Sequence, residues 1–195
     1  MVKEQKMNNQ EIEFVKLSEN VSKSDISTIE EIYNDAFPEK EKLGTLEELI
    51  NKTKSDNRIY LYIMYANPLE NGQKQVVGFS YHLIEKEFIY CVFIAIKKEF
   101  RSKGYGNKFL NFFKQKLTEC MNYIFLVEMV EDNAANKEQR IRRRSFYSKL
   151  GFFEAEKDIE FNGVHFDLFA LKKISEEQIE DYLEIVEDAL LSNSA

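Results

Sequence analysis

The sequence predicts a single mixed α/β domain in which helices flank a central, mostly antiparallel sheet. Three observations predict this class. Strand-like and helix-like segments are interleaved along the 195 residues. Strands in the middle are joined by connections too short for a crossover, and strand–helix–strand units follow near the end. The predicted order is β-α-α-β-β-β-α-β-α-β-β-α, which lacks the regular alternation of a doubly wound fold.

The first part of the chain is expected to form a tail, a strand and two helices. Residues 1–10 are polar and are predicted to be a disordered tail, so the single domain spans 11–195. Ile12–Leu17 is a strand candidate. Apolar residues then recur at helical spacing after a cap at Ser24 or Asp25, and Pro38 ends this helix. A second amphipathic helix begins near Thr45.

Three strands follow, and turn-rich or very short segments join them into antiparallel hairpins. They are predicted over Ile59–Tyr65, Val76–Ile84 and Phe88–Ile96. The next elements are a helix from Gly104 to about Cys120, a strand over Tyr123–Val130 and a helix from about Asn136 to Leu150.

The last part of the chain is predicted to be a hairpin and a helix. Asn162-Gly163 is a strong signal for a type I′ turn. Residues 175–191, SEEQIEDYLEIVEDALL, have the pattern of a capped amphipathic helix. This extra C-terminal helix either covers the core or forms a homodimer interface.

Composition narrows the function. A net charge of -7 argues against nucleic-acid binding. Cys91 and Cys120 have no CxxC spacing, and no residue cluster has metal-ligand spacing, so no metal is expected. The N-terminus lacks the apolar core of a signal peptide, and no apolar run reaches the roughly 20 residues of a membrane span. A cytoplasmic protein without a membrane partner is the expectation.

A glycine-rich, basic turn lies where the strand ending at Ile96 gives way to a helix. In EFRSKGYGNKF (99–109), Gly104 and Gly106 allow close approach of an anion to the free N–H groups of a helix N-terminus. The simpler alternative is a glycine start to an ordinary helix. The spacing excludes a Walker A loop, and Phe109 replaces the third glycine of a dinucleotide-binding motif.

The motif that fits is R-x-x-G-x-G, and with it the sequence resembles the GNAT acyltransferase superfamily. Arg101–Gly106 matches the acetyl-CoA signature Q/R-x-x-G-x-G/A of that family. SFYSKLGFFEAE (145–156) resembles its second landmark, an aromatic residue and a Tyr separated by three residues from a Gly-Phe pair. The topology agrees over about residues 12–173. The resemblance implies an N-acetyltransferase with splayed parallel strands 4 and 5.

The resemblance also implies where acetyl-CoA binds, between the strands Phe88–Ile96 and Tyr123–Val130. Backbone groups of three strand residues would pair with the pantetheine arm: Ile94, Ala95 and Ile96. The turn would hold the pyrophosphate through Arg101, Ser102, Lys103, Gly104, Tyr105, Gly106 and Asn107.

Two residues are the catalytic candidates. Tyr147 occupies the family position that protonates the departing thiolate, and the alternative is an aromatic packed beside Phe146. Glu128 lies at a strand position where some members place a glutamate near the acceptor amine. On that strand a carboxylate could act as a base, bind a cationic substrate, or form a structural ion pair with an arginine.

Arg140 is a departure from the family pattern, because many members carry Asn there to contact CoA. Arg140 to Arg144 either bind a phosphate of CoA or an acidic substrate group, or form a solvated face paired with nearby acidic residues. The acceptor is expected to be a small-molecule or peptide amine, since Asp35, Glu39 and Glu41 favour a cation. A non-catalytic acyl-CoA-binding or regulatory module on the same fold is the alternative function, and transfer of a longer acyl chain is a further one.

Overall fold

A computed structural model describes residues 12–17, 21–66, 74–119, 121–132, 134, 136–161 and 163–191. The predicted order of elements is confirmed. The strands are β1 (Ile12–Lys16), β2 (Ile59–Ala66), β3 (Gln75–Ile84), β4 (Phe88–Ile96), β5 (Asn122–Glu128), β6 (Phe153–Phe161) and β7 (Val164–Ala170). The helices are α1 (Lys23–Ala36), α2 (Leu46–Ser55), α3 (Tyr105–Lys114), α4 (Lys137–Lys149) and α5 (Glu176–Leu191), with short 3-10 turns at Glu39–Glu41 and Lys98–Phe100.

The described strands form one sheet in the order β1-β2-β3-β4-β5-β7-β6. Every neighbouring pair is antiparallel except β4 and β5, which confirms the predicted fold class. The parallel pairing joins Phe88 to Asn122, Ile89 to Tyr123 and Tyr90 to Ile124, and it ends there. Beyond Tyr90 the two strands separate, so a gap opens in the middle of the sheet.

A β-bulge in β4 changes which face its side chains meet. The register with β3 runs from Tyr81 opposite Phe93 to His82 opposite Cys91, so Val92 is the extra residue. Val92 and Phe93 therefore both pack on the face of the sheet that α1, α2 and α5 cover, whereas Cys91 packs on the opposite face. The bulge lies where β4 leaves β5, and it helps to shape the gap.

Helices cover both faces of the sheet. Buried side chains of α1, α2 and α5, including Ile29, Leu49 and Tyr182, pack on one face. Buried side chains of α3 and Tyr147 of α4 pack on the other. None of these described helices is long and apolar enough to cross a membrane.

Several predicted boundaries were wrong. The cap of α1 is Ser22, not Ser24 or Asp25, and its side-chain oxygen accepts from the Asp25 N–H at 3.1 Å. Helix α3 ends at Lys114, because the N–H groups of Lys116 and Leu117 bond only three residues back, at 2.9 Å and 3.3 Å. The tail at 1–10, Cys120 and Asn162 lie outside the described residues.

Candidate active site

A cavity of about 660 Å³ lies in the gap between β4 and β5. On the α3/α4 side its lining includes Cys91, Leu110 and Tyr147, and on the α1/α5 side Phe93 and Leu190. The cavity thus reaches both faces of the sheet. Two reactants could meet in it from opposite sides.

Tyr147 lines this cavity from α4 and is only 8% exposed. Its ring packs against Phe125, with the ring centroids 4.5 Å apart, and against Phe146 at 5.4 Å. Burial raises the pKa of Tyr147 to about 12. The phenol is therefore protonated at neutral pH and is a proton donor inside the cavity.

Glu128 lies at the end of β5, where it is 3% exposed and lines the cavity. Two arginines of α4 hold it. Arg143 forms an ion pair with one carboxylate oxygen, and a nitrogen of Arg140 lies 3.2 Å from the other. An ion pair with an arginine was one of the three roles predicted for Glu128, and the structure contains such a pair with two arginines.

Glu41 is a second carboxyl in the cavity, and it comes from the 3-10 turn after α1. Its side chain forms a hydrogen bond with Glu128. Burial first, and then repulsion from Glu128, raises the pKa of Glu41 to about 7, although Arg143 opposes the change. A carboxyl with this pKa can accept a proton near neutral pH and release it again.

The structure brings six of the predicted site residues together in the cavity. Tyr147 and Glu128 line the cavity along with four of the residues assigned to acetyl-CoA: Ile94, Ala95, Ile96 and Arg101. Arg101 also ties the glycine turn to its surroundings, because it contacts Asp35 at 2.6 Å and the Ile96 carbonyl at 2.9 Å.

The glycine turn from Ser102 to Asn107 lies beside the cavity, between Arg101 and the start of α3. Gly104 is the N-cap residue in the left-handed region, with φ +85°, and no side chain of the described residues caps α3. Nothing lies within 4 Å of the position that a Cβ on Gly104 would take. At Gly106 such an atom would meet the Phe146 ring at 3.4 Å. An open helix N-terminus of this kind fits a phosphate group.

Arg140 is not among the described residues that line the cavity. Its guanidinium donates to the Met129 carbonyl at 2.6 Å and to the Asn136 side chain at 2.9 Å, and it pairs with Glu131 at 3.0 Å as well as with Glu128. Pairing with nearby acidic residues was one of the two roles predicted for Arg140 to Arg144, the other being to bind a phosphate of CoA or an acidic substrate group. Whether Arg140 also contacts CoA stays a prediction.

Two features of the cavity escaped sequence reasoning. From the sequence, Glu41 was only one of several acidic residues before α2. Nothing in the residues around Glu41 indicates that its side chain lies beside Glu128. The wall that α5 contributes, through Leu183, Val186 and Leu190, was also not foreseen. In the part of the chain that the structure describes, no group of three or more His, Cys, Asp or Glu side chains could hold a metal ion.

Comparison with known proteins places this geometry in context. Residues 57–154, half of the chain, match a family model described as an acetyltransferase (GNAT) domain. No curated protein is significantly similar in sequence.

Solved structures with the same fold cover most of the chain. A protein from Bacteroides thetaiotaomicron described as a GNAT-family acetyltransferase superposes with a TM-score of 0.67 at 22% identity, over 92% of this chain and 97% of that one. Spermidine N-acetyltransferase from Vibrio cholerae, in complex with CoA and spermine, gives 0.59 at 16% identity over 82% and 94%. The ribosomal-protein-S18-alanine N-acetyltransferase of Escherichia coli gives 0.55 at 17% identity over 86% and 97%.

Proposed function

The chain belongs to the GNAT acetyltransferase family, and on that basis we propose that it is an N-acetyltransferase that moves an acetyl group from acetyl-CoA to an amine by direct attack in a ternary complex. The observation that carries the proposal is the cavity between β4 and β5. It holds a protonated phenol, Tyr147, and a carboxyl pair, Glu41 and Glu128, in one space open to both faces of the sheet.

The donor side of the reaction is assigned to the α3/α4 face. Bound acetyl-CoA would supply the acetyl thioester there. The first N–H groups of α3 and the positive end of its dipole would hold the pyrophosphate. Gly104 leaves this approach open, and the edge of β4 past Tyr90, released from β5, offers backbone groups to the pantetheine arm.

Tyr147 is assigned the proton that the leaving thiolate needs. With a pKa of about 12, it stays protonated at neutral pH, so it would donate a hydrogen bond to the sulfur as negative charge develops there and would pass on its proton as the C–S bond breaks. A thiol is already a fair leaving group, with an ordinary pKa near 8.5, so the contribution of Tyr147 is moderate.

The acceptor side is assigned to the α1/α5 face, where the Glu41–Glu128 pair would bind an ammonium and deprotonate it. Glu41 is the proton acceptor of the pair, because its pKa of about 7 gives a large ionised fraction at neutral pH. Glu128, held by Arg140 and Arg143, positions Glu41 and adds negative charge. The sequence suggested Glu128 as the base. In this proposal the base is its neighbour Glu41 instead.

Calorimetry and a thiol-release assay test the proposal together. The protein should bind acetyl-CoA and should release free CoA only when an amine is present. Failure to bind acetyl-CoA, with no thermal shift, would contradict the proposal. Binding without thiol release for a broad panel of amines would favour a non-catalytic acyl-CoA-binding module instead.

A pair of glycine variants tests the phosphate cradle. Gly104 and Gly163 both have positive φ, +85° and +69°, and both have open space where a Cβ would stand. Gly104→Val and Gly163→Val should therefore suffer a similar backbone strain of about 1–2 kcal/mol. Only Gly104→Val should weaken acetyl-CoA binding. Equal affinity in the two variants would remove the argument for the cradle.

A further inference from the structure

The part of the cavity on the α1/α5 face has an apolar wall, and we call it the acceptor compartment. Three segments that are far apart in the chain build this wall: the end of α1, the β6–β7 hairpin and α5. Its side chains are Phe37, Ile159, Phe166, Leu183, Val186 and Leu190. All six side chains lie outside residues 57–154, the part matched by the family model.

Most charged side chains of the cavity lining are either paired with one another or exposed. The cations among the described lining residues are Arg101, which pairs with Asp35, and Arg143, which pairs with Glu128. Glu41 remains as the carboxyl that an incoming cation can neutralise beside Glu128. Lining residues Glu160 and Glu187 are exposed, and contacts to exposed carboxylates contribute little in water.

We propose that the acceptor is a small primary monoamine on an apolar alkyl or arylalkyl body, whose ammonium meets the Glu41–Glu128 pair while its body packs against the α5 wall. This inference rests on the proposed function and names the substrate class of the same site. The apolar body gains by leaving water. A second ammonium along the body would lie against Leu183 and Val186, where the remaining lining carboxylates, Glu160 and Glu187, are exposed and offset little of the cost of desolvating it.

A homologous series of amines tests the proposal on the unaltered protein. From ethylamine to hexylamine the ammonium is the same and only the apolar body grows. With a gain of about 0.8 kcal/mol for each buried CH₂, kcat/KM in the thiol-release assay should rise about fourfold per methylene. 1,6-Diaminohexane should fall at least about tenfold below hexylamine, since its second charge must be desolvated. A flat series, or a preference for the diamine, spermidine or a polar peptide amine, would overturn the proposal.

Adjacent residues of α5 provide a matched pair of variants. Val186 and Ile185 are both half-buried, but only Val186 lines this cavity. Val186→Ser should lower kcat/KM for hexylamine about tenfold and leave ethylamine within about twofold, because the shorter body does not reach α5. Ile185→Ser should leave the ratio of the two amines unchanged. If both variants change the ratio equally, α5 is not the specificity wall.

The outcomes separate the two proposals. No thiol release with any amine would overturn the acetyltransferase function and this inference with it. Thiol release that ignores the length of the apolar body would overturn only this inference. Glu187→Gln is a further check, because the exposed carboxylate should not matter for a monoamine, and a large loss of hexylamine activity would contradict the proposed recognition.

Discussion

Glu41→Gln is the change that tests the chemistry of the cavity most directly. Glutamine keeps the size and hydrogen-bonding shape of the side chain but cannot accept the proton of an ammonium. A positioned general base contributes about 100-fold or more to a rate. We therefore expect kcat to fall about 100-fold, while the affinity for acetyl-CoA, which is assigned to the other face of the sheet, stays the same.

The pH dependence supplies a second measure of the same residue. With a pKa of about 7, about one Glu41 carboxyl in eleven is ionised at pH 6 and about ten in eleven at pH 8. Because the ionised form is the base, kcat/KM should fall about tenfold from pH 8 to pH 6. An unperturbed glutamate, with a pKa near 4.5, would give a flat rate over this range. The assay is thiol release with saturating acetyl-CoA and an alkylamine that stays protonated throughout.

Glu39→Gln is the matched control for this experiment. Glu39 lies in the same 3-10 turn and pairs with Lys42, but it does not line the cavity. The Glu39→Gln enzyme should keep the wild-type rate. Its pH–rate profile should also keep the bend near pH 7 that the ionisation of Glu41 produces. A wild-type profile that climbs steadily through pH 9 without a bend would refute the reasoning, and so would a Glu41→Gln enzyme that retains the bend.

Three further changes have expected outcomes. Arg143→Met removes a cation that lowers the pKa of Glu41, so the bend in the pH–rate profile should move above pH 7; an unmoved bend would separate Arg143 from Glu41. Tyr147→Phe should lower kcat about tenfold to 100-fold without changing the Kd of acetyl-CoA measured by calorimetry, since only the hydroxyl is lost; an unchanged kcat would leave Tyr147 as a packed aromatic. Burial lowers the pKa of His82 to about 3, so below pH 6.5 the unfolded chain binds the proton that the folded protein excludes. The free energy of unfolding should therefore fall by about 2 kcal/mol from pH 7 to pH 5 on account of His82, and urea unfolding of His82→Asn should lack that part of the slope.

Much of the fold was predictable because its signals are local. The short connection between β3 and β4 leaves no room for a crossover, so an antiparallel hairpin follows. The segment Arg101–Gly106 likewise predicted an open helix N-terminus. Gly104 has a left-handed backbone and no side chain of the described residues caps the helix, and both features depend only on residues that are adjacent in the chain. The end of α3 was less predictable. Apolar residues continue past Lys114 at helical spacing, but the chain turns away to begin β5.

The sequence by itself determined the strand order along the chain, the glycine turn and the position of Tyr147 relative to Gly151. These features depend on turn chemistry and on periodicity within single elements. Only the tertiary structure decided that Glu41 meets Glu128, that Val92 bulges where β4 leaves β5, and that α5 forms a wall of the cavity. Those contacts join segments distant in the chain, and a carboxyl shows a raised pKa only after packing has brought a second carboxyl beside it and removed the water.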